Sequence, residues 1–344
     1  MHKSILLGLG HGINDFISGF LLAVIFFQMD LTNLEKGTAA VLYNLVAFDG
    51  QTIVARSTVL IQNSKYSLML CFVILAFSIL LIEHVHLVAI LFAGISSAIF
   101  HVIGASESLV DKTASKHLGI FLSLGVIGLA LGSYTGYLNL SIEWYAIGIC
   151  IGYSILLQMF LSTNELKTLY NNTDKPSLEK HDIVMILLIL IMCFRSFVWD
   201  IIILIQQENY KWIICIAAAA ALGKMAGGYV SDQVGHLKYT LTVLTFSWIL
   251  FVFGHNLLWM LYLGAFLLQS TLAPLTIMLI ARFKDNKLIA IAWALGLTIL
   301  FPILFFFSQI QLHPQFALLC ISGASICLLA FLYLYDKCTE SHKS

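Results

Sequence analysis

Apolar residues run along this chain in long unbroken stretches, and polar residues gather in short clusters between them. Most stretches approach twenty residues, the length an α-helix needs to cross a hydrocarbon core roughly 30 Å thick. The pattern predicts twelve membrane helices, near 5–28, 37–61, 66–83, 86–108, 117–138, 142–162, 183–206, 211–231, 238–255, 257–280, 287–308 and 314–335. A membrane β-barrel would instead show alternating segments of about ten residues. The first stretch runs into Gln28, Met29 and Asp30 without a small-residue cleavage site, so it reads as a retained helix and not a signal peptide.

Composition narrows the class. Of 344 residues, 60% are hydrophobic and only 10% are Asp, Glu, Lys or Arg, with a mean hydropathy of +0.94. A soluble domain carries about 25% charged residues, and disorder requires low hydrophobicity, so both are excluded. The 18 basic and 18 acidic residues balance without a basic block, which argues against a nucleic-acid partner. With both termini placed in the cytoplasm, the cytoplasmic ends and loops hold every Lys and Arg except Lys36 and Lys211 outside and Arg195 and Lys224 within spans. That asymmetry is the one expected of an N-in, C-in topology with an even number of helices. The seven cysteines form no Cys-x-x-Cys pair and read as small apolar residues, so no cofactor and no metal centre is expected.

The longest polar stretch, Ser162 to Asp182, divides the chain into two six-helix bundles, 1–162 and 183–344, joined by a cytoplasmic linker at 163–182. The second bundle ends in a short cytoplasmic tail. The halves show a weak internal repeat, as expected of a transporter built from parallel repeats. Gly50-Gln51 through Lys65-Tyr66 aligns without gaps on Gly223-Lys224 through Lys238-Tyr239, Leu118 aligns with Leu288, and Asp15 can be set against Asp200.

Between the eighth and ninth predicted helices the chain reads Gly228-Tyr229-Val230-Ser231-Asp232-Gln233-Val234-Gly235-His236-Leu237-Lys238. This resembles the Gly-x-x-x-Asp-(Arg)-x-Gly-x-(Arg/Lys) loop of the major facilitator superfamily. Gly228 allows close helix contact, Asp232 can cap a helix or pair with a cation, and Gly235 permits a tight turn. The resemblance implies that Gly228, Asp232, Gly235 and Lys238 lock the cytoplasmic side. The first-half counterpart, Thr58 to Lys65, has Val59 at the Asp position and keeps only the basic Lys65. Two shorter patches, His11-Gly12-Ile13-Asn14-Asp15 and Ala98-Ile99-Phe100-His101, look like segments of fosmidomycin-resistance-type transporters, although Val102 stands where that group has proline.

A charge at mid-bilayer costs about 2.5–3.5 kcal/mol on insertion scales, so each one needs a reason. Asp15 lies about ten residues into the first helix, roughly 15 Å deep, with His11 one turn earlier on the same face and Asn14 adjacent. The superfamily resemblance implies that helices 1, 4, 7 and 10 line a central cavity, which would bring together Asp15, His101, Arg195, Asp200 and Gln269. Asp15 and the histidines are candidates for proton coupling, because burial and a nearby cation push a carboxylate's affinity for protons in opposite directions. Arg195 can bridge to a carboxylate of the other half or bind an anionic substrate group. Lys224 reads with Asp49 and Arg56 as a gating residue, either as a partner for Asp200 or Asp49 or as a cationic site for substrate. Glu107 and Arg56, near helix ends, also suit internal ion pairs or snorkelling. Pro274 and Pro302 are expected to kink the tenth and eleventh helices, and Gly125, Gly128 and Gly132 to serve close packing.

These features describe a non-enzymatic secondary transporter, since Walker-type and zinc-protease motifs are missing. The expectation is a monomer in a bacterial inner membrane that exchanges protons for a small exported molecule. A divalent-metal carrier and a non-transporting sensor or scaffold are the alternatives.

Overall fold

The computed structural model describes residues 3–109, 114–161, 180–206, 210–254, 257–283, 286–299 and 314–341. Their regular structure is helical. In chain order the helices are α1 (Lys3–Ala23, continued by a π-helical turn, Val24–Gln28) and α2 (Asn33–Asn44, a π-helical turn Leu45–Asp49, then Gly50–Arg56). They continue with α3 (Ser64–Leu81), α4 (His86–Leu109), α5 (Ser115–Tyr137), α6 (Glu143–Phe160), α7 (Lys180–Gln206) and α8 (Tyr210–Val234). The last four are α9 (His236–Gly254), α10 (Leu258–Ser270 and Leu272–Arg282), α11 (Lys287–Ala292 and the π-helical turn Trp293–Leu297) and α12 (Pro314–Ser341).

Among the described residues, nine of these helices are long and apolar enough to cross a membrane. The exceptions are α2, which carries Glu35, Lys36, Asn44, Asp49, Gln51 and Arg56, and the shorter apolar runs of α11 and α12. The chain is a multi-pass integral membrane protein. Burial separates central from peripheral helices: the spanning windows of α4 and α10 are 72% and 78% buried, those of α6 and α9 only 22% and 28%. The peripheral faces expose Trp144, Tyr145, Ile151, Met159 and Phe253, side chains suited to lipid.

Several boundaries differ from the sequence pattern, each for a local reason. Helix α2 begins four residues early because Thr32 and Glu35 form a capping box; the Thr32 hydrogen bonds also hold the Glu35 carboxyl below the usual carboxylate range. It ends at Arg56, where extended Ser57 starts a separate turn, Thr58–Gln62. The expected kink in α10 falls at Thr271, three residues before Pro274, whose missing N–H releases the Ser270 carbonyl. That carbonyl lies so close to Gly227 of α8 that any β-carbon there would overlap it. Pro302 and almost all of the 163–182 linker lie outside the described residues.

The contact that organises the first half is between α1 and α5. β-Carbons at Gly128 and Gly132 would overlap the carbonyl oxygens of Gly12 and Phe16, so the two backbones touch. Close approach of small residues replaces the hydrophobic drive that is missing between helices in lipid. Gly128→Val is therefore expected to lower the stability of the purified protein by about 1–3 kcal/mol or more, as overpacking does. Gly148→Val, on α6 where nothing lies within 4 Å, is the control and should leave the melting temperature unchanged.

Candidate functional site

Backbone contact between α1 and α5 sets the position of a buried cluster of titratable side chains. His11 and Asp15, one helical turn apart, press against Gly125 of α5, where an added β-carbon would lie 2.5 Å from the His11 ring and 2.8 Å from Asp15 Oδ2. The His11 ring stacks on Phe121 at 4.5 Å and meets the edge of His101, from α4, also at 4.5 Å. All three polar side chains are buried. His11 Nε2 is 3.0 Å from His101 Nε2 and 3.1 Å from Asp15 Oδ2, while His101 Nε2 is 3.8 Å from Asp15 Oδ1.

The other ring nitrogens decide what this cluster can hold. His11 Nδ1 is 2.9 Å from the Phe121 carbonyl oxygen and His101 Nδ1 is 2.8 Å from that of Ser97. A carbonyl only accepts, so both Nδ1 atoms carry a proton and donate. Both Nε2 atoms then face each other and Asp15 as acceptors, and their short contact requires one further proton between them. A divalent transition metal could take the same three ligand atoms, which lie within 4.8 Å of one another. Arg195 and Lys224 line the same cavity, and positive charge on them opposes a divalent ion more than a single proton.

The cavity has a volume of ≈ 260 Å³ and lies where α1, α2, α4, α5, α7, α8, α10 and α11 meet. It collects His11, Asp15, His101, Arg195, Asp200 and Gln269, all candidates from the sequence, together with Lys224, which the sequence suggested for gating. Arg195 Nη2 donates to Gln269 Oε1 at 2.8 Å, and Lys224 Nζ donates to the Leu122 carbonyl of α5 at 3.4 Å. Asn14 is not among the lining residues: its Nδ2 donates to Ser96 Oγ at 2.9 Å, tying α1 to α4. Asn44, Ser196 and Trp199 also line the cavity and were not singled out in the sequence. Trp199 sits next to Asp200 in a run of apolar residues, where an aromatic side chain carries no distinguishing signal.

The remaining candidates map to one end of the bundle. Asp232, in the last turn of α8, accepts hydrogen bonds from the backbone N–H groups of Ser115 and Lys116 at 2.9 and 3.0 Å, capping the start of α5. His236 lies 3.2 Å from the same carboxylate. Gly228 makes the approach possible, since a β-carbon there would sit 2.5 Å from the Ser115 carbonyl oxygen. Gly235, at φ +93°, makes the turn into α9, and Lys238 is exposed. Asp49 and Arg56 are both exposed, and no ion pair within 4 Å joins them. Glu107 is paired with Lys3 at 2.6 Å and accepts from Ser64 Oγ.

At the degenerate first-half loop, Val59 is exposed and Lys65 Nζ donates to the Gln158 carbonyl. The corresponding α2–α11 crossing is held by Gln51, whose Nε2 donates to the Ala47 and Leu295 carbonyls at 3.0 and 3.3 Å. Gln51 is the position that the internal repeat sets against Lys224, which was the signal available for it. Gly296 of α11 packs against the Phe48 carbonyl at the same crossing.

No protein-family model and no curated protein matches the sequence. Solved structures do match. The E. coli fucose:proton symporter FucP, in an asparagine-to-alanine variant, superposes with a TM-score of 0.68 over 95% of this chain and 96% of that one, at 13% identity. A structure described as a major facilitator superfamily transporter, FucP, in the outward conformation, superposes at 0.67 over 95% and 97%, with 12% identity. The fold is the major facilitator fold. The narrower likeness to fosmidomycin-resistance-type transporters finds no counterpart among these structures.

Losing a helix cap costs about 0.5–2 kcal/mol, or roughly a 2- to 30-fold change in a two-state population. Asp232→Ala is expected to shift the bundle end that it caps toward an open arrangement by a factor in this range. Spin labels at exposed Val59 and Val234, read by pulsed dipolar spectroscopy, should show a growing long-distance population. An unchanged distribution would mean that the cap does not hold this end closed.

Proposed function

We propose that this protein is a proton-coupled secondary transporter that moves a small molecule by alternating access and runs as an exporter. The full-length likeness to FucP supports secondary transport. The observation that carries the coupling is the His11–His101–Asp15 cluster in the wall of a central cavity, built to hold one proton. In the proposed arrangement twelve helices span a bacterial inner membrane, both termini and the Asp232 end face the cytoplasm, and the protein works as a monomer. The bundles are 1–162 and 183–344.

The cycle follows from the contacts. With the Asp232 cap and the Gln51 contact in place, the cytoplasmic end is shut and the cluster carries its proton. Consecutive carbonyls of α5, Phe121 and Leu122, receive His11 and Lys224. The proton stays on the cluster while the cytoplasmic end opens and leaves to that side; three converging acceptors then remain, and Lys224 is drawn from Leu122 toward Asp15, holding α8 away from α5 until cargo binds. Proton occupancy and the cytoplasmic contact are thereby linked through one helix. Export is what the fosmidomycin-type resemblance implies, whereas FucP is described as a symporter, so direction belongs to the test. A divalent-metal carrier is the second reading, favoured by the same three ligand atoms and opposed by Arg195 and Lys224.

Proteoliposomes loaded with a pH-sensitive dye and offered organic anions, cationic drugs and divalent metals separate these readings. The expected result is proton movement opposite in direction to one organic substrate and lost in Asp15→Asn. Proton movement in the same direction would make the protein a symporter. Transport with unaltered pH dependence in Asp15→Asn would sink the coupling assignment.

A further inference from the structure

The cavity's charges, beyond those committed to the proton site, identify the chemical class of the cargo; the inference rests on the transporter reading above. Asp15 is engaged by the two imidazoles. That leaves Arg195, Lys224 and Asp200 in the wall. Among the described residues no ion pair within 4 Å joins either cation to a carboxylate. The one hydrogen bond from Lys224 is long, 3.4 Å to a carbonyl. Gln269 holds Nη2 of Arg195 and so orients the guanidinium plane, while its Nε is buried and has no acceptor in the protein. Asp200 Oδ2 is likewise buried without a donor.

Buried charges are costly unless paired, and a guanidinium edge presents two parallel donors matched to a carboxylate. Two cations against one free carboxylate leave a single positive charge for a ligand to balance. Beside them stand Trp199 and an apolar wall of Leu122, Val126, Leu272 and Leu295. At ≈ 260 Å³ the cavity is smaller than the roughly 300–1,000 Å³ that drug-sized ligands occupy. A neutral polyol would leave that single positive charge unbalanced, and an organic cation would add to it.

We propose that the cargo is a small organic monocarboxylate bearing a hydroxyl group. Its carboxylate lies between Arg195 and Lys224, its hydroxyl donates to Asp200, and its apolar body rests against Trp199 and the α5, α10 and α11 side chains.

The test is equilibrium binding to purified full-length protein in detergent, followed by tryptophan fluorescence with Trp199→Phe identifying the reporter. The probes are 3-phenyllactate, lactate, hexanoate, 3-phenylpropionate, 3-phenylpropanamide and phenethylamine. Hydrogen bonds to charged groups contribute enough for a tenfold or greater effect on affinity. Phenylpropionate should bind at least tenfold more tightly than the isosteric amide, and phenethylamine should not bind. Arg195→Gln and Lys224→Gln should each weaken the acids about tenfold or more, with Arg195→Lys, which keeps the charge but loses the fork, falling between. The advantage of phenyllactate over phenylpropionate should vanish in Asp200→Asn. Melting temperatures of all variants show whether a loss of binding is a loss of fold.

Equal binding of acid and amide, indifference of the acids to both cation substitutions in folded protein, or silence of every acid at about 1 mM overturns the proposal. Acid binding without any proton movement would sink the coupling reading and leave the cargo class standing. Proton movement driven only by amines would do the opposite.

Discussion

A carboxylate in the middle of a membrane-length apolar helix has to be given partners, and the central helix contacts supply them for Asp15. One partner, His11, comes from the same helix and is fixed by the helical repeat. The other, His101, arrives on α4, and the carbonyl that anchors His11 arrives on α5. All three helices must approach closely for these contacts to form at hydrogen-bond distance. Glycines at 125, 128 and 132 permit it, because a side chain at the crossing would occupy the space of a backbone carbonyl or of the His11 ring. The packing rule and the chemical site are one constraint seen from two sides.

The same economy of contact governs the end of the bundle where Asp232 lies. Two crossings, α8 on α5 and α2 on α11, use unlike chemistry at positions related by the internal repeat. Lys224 and Asp232 hold the first through backbone groups of α5. Gln51 holds the second through a backbone carbonyl of α11. Two π-helical turns, Leu45–Asp49 and Trp293–Leu297, meet at this second crossing. Such turns leave some carbonyls outside the regular ladder, and Ala47 and Leu295, the acceptors of Gln51, belong to them. A neutral amide bridging two irregular turns is a weaker clasp than a carboxylate on a helix N-terminus. The charged clasp sits where the recognisable motif survives, and the neutral one where it has degenerated.

Much of the fold was legible in the sequence, and so was half of the site. Long apolar runs reported the helices directly, since a chain in lipid must satisfy its backbone hydrogen bonds within each span. Charges in those runs flagged Asp15, Arg195, Asp200 and Lys224 for the same reason: each is too costly to place at mid-membrane without use. Asn44 and Trp199 carry no such signal, because uncharged polar and aromatic residues are tolerated in membrane helices, and Gln51 is marked only by its place in the internal repeat. Asn14 drew notice for its neighbour, yet its side chain turns toward Ser96. The angle of about 100° between successive helical residues is enough to send adjacent side chains to different neighbours.

The sequence by itself determined the class of molecule, the positions of most helices, the turn at Gly235 and the pairing of His11 with Asp15. All of these are local: they depend on run length, on glycine's freedom at positive φ or on a one-turn spacing. Tertiary structure alone decided that His101 faces His11 through Nε2, that Lys224 belongs to the cavity, that Asp232 caps α5 and that Gln51 reaches α11. Those contacts join residues about 90 to 244 positions apart. At such separations the partner is chosen by how helices cross, and crossing depends on the summed shapes of many side chains, not on any one spacing along the chain.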